Sequence, residues 1–297
     1  MQSILAVYPP EVLILFAGVL GLLVGSFLNV VIYRLPMMME RDFRVEATSI
    51  LNGEAAARKE AEAQGRFNLM VPRSRCPKCK TKITALQNIP IISWLVLRGK
   101  CANCKTSVSA RYPVIEAVTG MLTALIIFKL GANWAGIGGM LLLWSLVALT
   151  MIDYDTQLLP DQITLPLVWA GIVFSVIPHS GVFPATDLQS SVFGAIAGYL
   201  TLWSIYWGFK LVTGKEGMGY GDFKLLAALG AWLGWQLLPV IILLSAVVGA
   251  VTGIAMILFA GHKRETPIPF GPYLAGAGIL AMLWGAELNA LLGRTIN

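Results

Sequence analysis

The chain has 297 residues, of which 57% are hydrophobic and only 13% charged. Soluble globular proteins carry about 25% charged residues, so too few charges are present to coat a water-soluble fold of this size. Intrinsic disorder is excluded as well, because it requires low hydrophobicity and high charge. The composition predicts an all-α polytopic membrane protein.

About eight apolar spans are expected in chain order, at roughly 11–35, 113–130, 134–152, 163–178, 190–211, 223–236, 238–260 and 271–291. A membrane helix needs about 17–25 residues, so the span at 223–236 is short. Met1–Pro10 lacks a basic n-region and no small-residue cleavage site follows the first apolar run, so no cleavable signal peptide is expected. The formal charge of +6 does not point to nucleic acid, because of where the charges lie: fifteen of the 22 basic residues fall between Arg34 and Arg111. With eight spans the loops alternate sides. One side collects 20 basic residues, counting Lys210, Lys215, Lys224, Lys263 and Arg264 with their loops, and the other only Lys129 and Arg294. The basic side is therefore expected to be cytoplasmic, with both termini on the opposite face. This divides the chain into a first transmembrane helix (1-36), a cytoplasmic insert (37-112) and a seven-helix membrane core (113-297).

Within the insert, Glu40–Arg66 is charged and Ala-rich and reads as a surface helix or a flexible arm. The second half holds all four cysteines. Cys76 and Cys79 form one C-x-x-C, Cys101 and Cys104 another, and 21 residues lie between the pairs. Two residues between cysteines let both thiolates reach one ion from a tight turn, and the spacing is close to that of a zinc ribbon. The basic neighbours Arg75, Lys78, Lys80, Lys100 and Lys105 offset the charge of a four-cysteine site. Disulfides and free thiols are the alternatives, and the reducing cytoplasmic side disfavours disulfides. Four thiolate ligands leave no open coordination position, so the zinc is expected to be structural. The apolar run Ile89–Gly99 between the pairs is expected to pack on the ribbon or against the membrane surface.

Two acidic motifs stand out at span ends, where ionisable groups are costly and functional by default. Asp153, Asp155 and Asp161 surround the first, which ends in Leu159-Pro160-Asp161. The second is Gly219-Tyr220-Gly221-Asp222-Phe223-Lys224. The topology puts both motifs on one face, so Asp153 and Asp222 can meet although they are 69 positions apart. Facing carboxylates in a low-dielectric site share a proton, which allows one to act as base toward water while the other polarises a peptide carbonyl. His179 and His262 supply no alternative base, the first lying on the outer side and the second in a separate loop. The bland readings are a helix N-cap for Asp222 or Asp161 and a plain loop residue for Asp155. A cation transporter, or a zinc-ribbon scaffold without catalysis, are the competing function classes. Against transport, the acids cluster at one interface and form no chain across the membrane.

Taken together the residues resemble the type IV prepilin leader peptidases, the bacterial branch of the GxGD membrane aspartyl proteases. The resemblance runs through Gly25–Pro36, the two C-x-x-C pairs, Ser93-Trp94-Leu95, Arg98-Gly99, Ser109–Pro113 with Glu116, Ile152-Asp153, Leu159–Asp161, Gly219–Lys224 and Pro267–Tyr273. It implies a catalytic pair Asp153 and Asp222, with Asp155, Asp161, Gly219, Gly221 and Lys224 in support. It also implies cleavage, after a glycine, of the leader of type IV prepilins and type II secretion pseudopilins in the bacterial inner membrane. N-methylation of the new N-terminus with S-adenosylmethionine would follow, and retention of all four cysteines favours this bifunctional form. Arg98 and Gly99 are candidates for binding that methyl donor, set against a simple turn before Cys101. Arg111 and Glu116 are candidates for a buried pair or for holding an α-amino group.

Overall fold

The computed structural model describes residues 8–177, 187–259 and 268–291. His179, His262, Lys263, Arg264, Pro267, Arg294 and the stretch before Tyr8 lie outside the described residues. Within them the regular structure is helical, with two isolated β-bridges, Arg75 to Lys82 and Lys100 to Ser107. In chain order the helices are α1 (Pro10–Asn52), α2 (Glu54–Gln64), α3 (Ile92–Val96), α4 (Arg111–Leu130), α5 (Trp134–Thr156), α6 (Asp161–Val176), α7 (Leu188–Thr213), α8 (Tyr220–Leu233), α9 (Leu238–Phe259) and α10 (Gly271–Leu291). Among the described residues five helical segments are long and apolar enough to cross a membrane, and the protein is an all-α polytopic membrane protein. The chain forms two compact units, residues 16–124 and residues 125–297 together with 1–15.

Helix α1 is 43 residues long and continues past Pro36, well beyond the expected end near 35. Its polar continuation and α2 make the charged half of the insert helical, which removes the flexible-arm alternative. Arg34 is buried, and both terminal nitrogens of its guanidinium are hydrogen-bonded. It donates to the carbonyls of Asn68 (2.8 Å), Leu69 (3.4 Å) and Pro72 (2.6 Å). The Phe67 ring lies 5.6 Å from Arg34 and 4.1 Å from Arg41, and Arg41 also donates to the carbonyl of Gln64, the last residue of α2. A buried charge persists only when so paired, and these contacts pin the chain leaving α2 back onto α1. Within the first unit, α1 and α4 approach closely: side chains at Gly21 or Gly25 would meet Thr123 and Glu116 at 2.6–2.9 Å. Small residues serve helix contact in membranes this way, where van der Waals packing replaces the hydrophobic drive.

The second unit is organised around α8. At 14 residues this helix rises about 21 Å, short of the ~30 Å hydrocarbon core. It begins three residues earlier than the expected 223 and ends at Leu233, a 3-10 turn at Trp235–Leu237 completing the expected span. Helices α6, α7, α9 and α10 pack on it, and from Asp222 to Leu233 nearly every residue is buried. Gly194 and Gly198 of α7 lie against the backbone of Gly230 and Leu226. Trp232 is fully buried, stacks at 5.1 Å on Phe174 and donates to the Leu167 carbonyl at 2.8 Å. By contrast, the apolar segment Trp235–Phe259 leaves most of its side chains exposed or half-buried, which marks it as a lipid-facing helix.

Candidate active site and metal centre

Helix α5 ends because Gln157 takes a left-handed conformation (φ 55°) and donates its N–H to the Asp153 carbonyl at 2.8 Å. Such a left-handed residue is a common helix stop. Asp153 therefore sits one turn from the helix end, 5% exposed. Its Oδ2 accepts a hydrogen bond of 2.9 Å from the backbone N–H of Gly271, the first residue of α10. Asp222 is the third residue of α8 and 6% exposed, and its backbone N–H donates to the Gly219 carbonyl at 3.2 Å. The two carboxyls stand on segments that share a packing partner, Leu159, which lies against both Gly221 and Gly271. Neither Asp222 nor Asp161 is an N-cap residue; those positions belong to Gly219 and Pro160.

The backbone around Asp153 and Asp222 is tightly packed. A side chain on Gly221 would meet Leu159 Cβ at 2.7 Å, and one on Gly271 would meet Asp153 Oδ2 at 2.6 Å and Leu159 Cδ2 at 3.2 Å. Leu159 thus lies against the residue before Asp222 and against the residue that holds Asp153. Lys224 closes the same ring with a two-oxygen contact to Asp161, at 2.7 and 2.8 Å. Asp155 is exposed on the last turn of α5. Tyr220 packs on Tyr206 and Phe223 at 5.3 and 5.4 Å, and Lys210 bridges the Tyr206 hydroxyl to Glu216. These contacts anchor the loop that precedes Asp222 to α7. Leu159 and Gly271 enter the sequence reading only as members of a family pattern; their roles come from contacts across more than 60 residues of sequence, which no local signal carries.

In the insert the four sulfurs lie within 4.8 Å of one another. Cys76 and Cys104 are 3.7 Å apart, Cys79 and Cys101 3.9 Å. A regular tetrahedron of ~2.3 Å zinc–sulfur bonds has edges of about 3.8 Å, so the donor set fits a tetrahedral ion. The two halves repeat each other. Cys76 N–H donates to Thr81 and Lys80 N–H to Cys76; Cys101 N–H donates to Thr106 and Lys105 N–H to Cys101. Lys80 and Lys105 both turn through a positive φ. The hydroxyls of Thr81 and Thr106 each lie 3.3 Å from a sulfur, of Cys79 and Cys104. Hydrogen bonding with the Thr81 side chain, then its backbone, brings the Cys79 thiol down from 9.0 to about 5, and Thr106 lowers Cys104 in the same way. The sequence signal for the threonines is the repeated C-x-x-C-K-T at Cys76 and Cys101.

The candidates for cofactor binding have structural duties. Gly99 is buried at φ 66°, and a side chain there would strike the Trp94 ring at 2.9 Å. Trp94 donates to the Val108 carbonyl at 3.1 Å, so the apolar run does pack on the ribbon through this residue, while Ile92, Leu95 and Val96 stay exposed. Arg98 is exposed at φ 50°. Glu116 is buried and accepts the Ile91 N–H at 2.8 Å.

Residues 19–130 match the family model of the bacterial peptidase A24 N-terminal domain, and residues 140–254 that of the type IV leader peptidase family. Relatives named prepilin leader peptidase/N-methyltransferase are 55% identical in Aeromonas salmonicida, over 91% of this chain and 90% of the relative. In Stutzerimonas stutzeri the identity is 54% over 95% and 94%, and in Pseudomonas aeruginosa 50% over 94% and 93%. The chain belongs to the type IV leader peptidase family. Within this leader peptidase the four cysteines fall in the N-terminal match and both buried aspartates in the C-terminal one, whereas Gly271 lies beyond either. No solved structure matches the chain.

Proposed function

We propose that the protein is a membrane aspartyl endopeptidase and N-methyltransferase of the bacterial inner membrane. It removes the leader from type IV prepilins and type II secretion pseudopilins after a glycine, and methylates the new N-terminus. Asp153 and Asp222 form the catalytic pair. One carboxylate takes a proton from water as the water oxygen bonds to the scissile carbonyl carbon, and the other, protonated, gives its proton to the carbonyl oxygen. Collapse of the tetrahedral species breaks the C–N bond; the proton taken from water leaves with the amine, and one hydroxyl returns its proton to the aspartate that protonated the carbonyl oxygen. Asp161, Lys224, Gly219 and Gly221 hold the geometry, and Asp155 borders it. The observation that supports this reading is the burial of two carboxyls, from motifs 69 positions apart, on segments that both pack on Leu159.

The basic loops put this end of the bundle at the cytoplasm and both termini in the periplasm. That suits a substrate whose cleavage site borders its own apolar helix. The division into a first membrane helix (1-36), an insert (37-112) and a peptidase core (113-297) follows the same topology. The four-cysteine centre holds zinc as a structural ion, closed to substrate. S-adenosylmethionine supplies the methyl group; with the open side of Gly99 taken by Trp94, Arg98 and Gly99 form no cradle for it, and no step is assigned to them. Mass spectrometry of a prepilin co-expressed with the chain tests the proposal. A product cut after the leader glycine and heavier by one methyl group is expected; an uncut prepilin would contradict it.

A further inference from the structure

We propose that Gly271 is a positioning residue for Asp153, and that α10 must begin with a bare backbone for the carboxyl pair to form. The first N–H groups of a helix have no partner within it. At the start of α10, Pro272 has no N–H to give and Tyr273 N–H is returned to the Phe270 carbonyl at 3.1 Å. The Gly271 N–H is spent on Asp153 Oδ2, in a buried bond spanning 118 residues of sequence. The geometry leaves no room for a side chain, since a β-carbon would fall 2.6 Å from that same oxygen. It would also press on Leu159 at 3.2 Å, and Leu159 in turn abuts Gly221, next to Asp222. One substitution would thus remove the seat of Asp153 and push Leu159 toward the other half of the pair. Gly276, in the same helix, is the internal control, because a β-carbon there meets nothing within 4 Å.

The catalytic consequence rests on the aspartyl reading above, whereas the contact itself does not, and the experiment separates them. Leader removal and thermal unfolding are measured on the full chain in membranes or detergent for Gly271→Ala, Gly276→Ala, Asp153→Ala and the double variant Gly271→Ala/Asp153→Ala. Gly271→Ala is expected to lower kcat about 10²-fold with KM little changed, as displacement of a catalytic group by about 1 Å does, while Gly276→Ala cleaves like the parent. Gly271→Ala is expected to lower the unfolding midpoint in the parent and distinctly less when Asp153 is already Ala, because the clashing oxygen is gone. Should Gly271→Ala fail to accumulate, recovery of folded protein on adding Asp153→Ala supports the contact, and no recovery overturns it. Gly271→Ala cleaving like Gly276→Ala, or destabilising equally in both backgrounds, also overturns the proposal. Normal cleavage by Asp153→Asn would instead remove the aspartyl reading and leave the contact standing.

Discussion

The four thiols of the insert and the two carboxyls of the helix bundle are assembled by opposite strategies. Each thiol pair is built by its own six residues: a C-x-x-C turn, a lysine at positive φ and a threonine beside one sulfur, used twice. The carboxyl pair is built from three helix ends, those of α5, α8 and α10, and from Leu159 lodged among their backbones. A module made of local turns can be rebuilt residue by residue. A site made where helices meet depends on every helix holding its place, so its tolerance of a single methyl group is low.

The largest contrast is expected from the carboxyls themselves. Asp153→Asn and Asp222→Asn should each lower the rate of leader removal by about 10²–10⁴-fold, the range associated with loss of a positioned acid or base. Rates are to be taken on purified protein with a prepilin substrate. Zinc removal should act on the other region. Stripping the metal, or replacing Cys76 and Cys79 with Ser, should leave 74–108 open to limited proteolysis while α5–α10 stay resistant, because structural zinc supplies folding free energy to small modules. Purified protein with no zinc and an intact protease-resistant insert would break the comparison.

Acid should sharpen it. A thiol lowered from 9.0 to about 5 is a thiolate at neutral pH, and protons compete for it only as the pH falls toward that value. Zinc should therefore be held at pH 7 and released on acidification. Thr81→Val, which removes the first cause of the lowering, should move that release to higher pH. An unchanged release curve would count against the role of Thr81. The partly exposed pair Lys224–Asp161 should matter less. Such a bridge contributes at most about 1 kcal/mol, so Lys224→Ala should slow cleavage several-fold at most through looser packing of Leu159. Least of all should follow from Arg44→Ala, whose partner Glu40 is exposed on the same helix; unfolding midpoints should agree within error.

Composition and hydropathy made the helical membrane fold legible, and the C-x-x-C spacing made the metal centre legible, because both are local properties. That Asp153 and Asp222 stand on segments that pack together was legible in part, since alternating spans are expected to put their motifs on one face. Other features were not. Helix α1 runs through Pro36, where propensity predicts a stop, because the segment at 67–72 is fastened to Arg34 and Arg41. The short α8 survives at 14 residues because neighbours bury it on nearly every side. The fit of Leu159 against Gly221 and Gly271 exists only once α8 and α10 are in place.

Whether the two carboxyls work as one unit is read most directly from the cleavage rate of the double variant Asp153→Asn/Asp222→Asn beside the two single variants, at saturating prepilin. Groups that share one proton and one task are lost together, so the double variant should be no slower than the slower single. Losses that multiply, or a single variant that cleaves at the parent rate, would contradict the account.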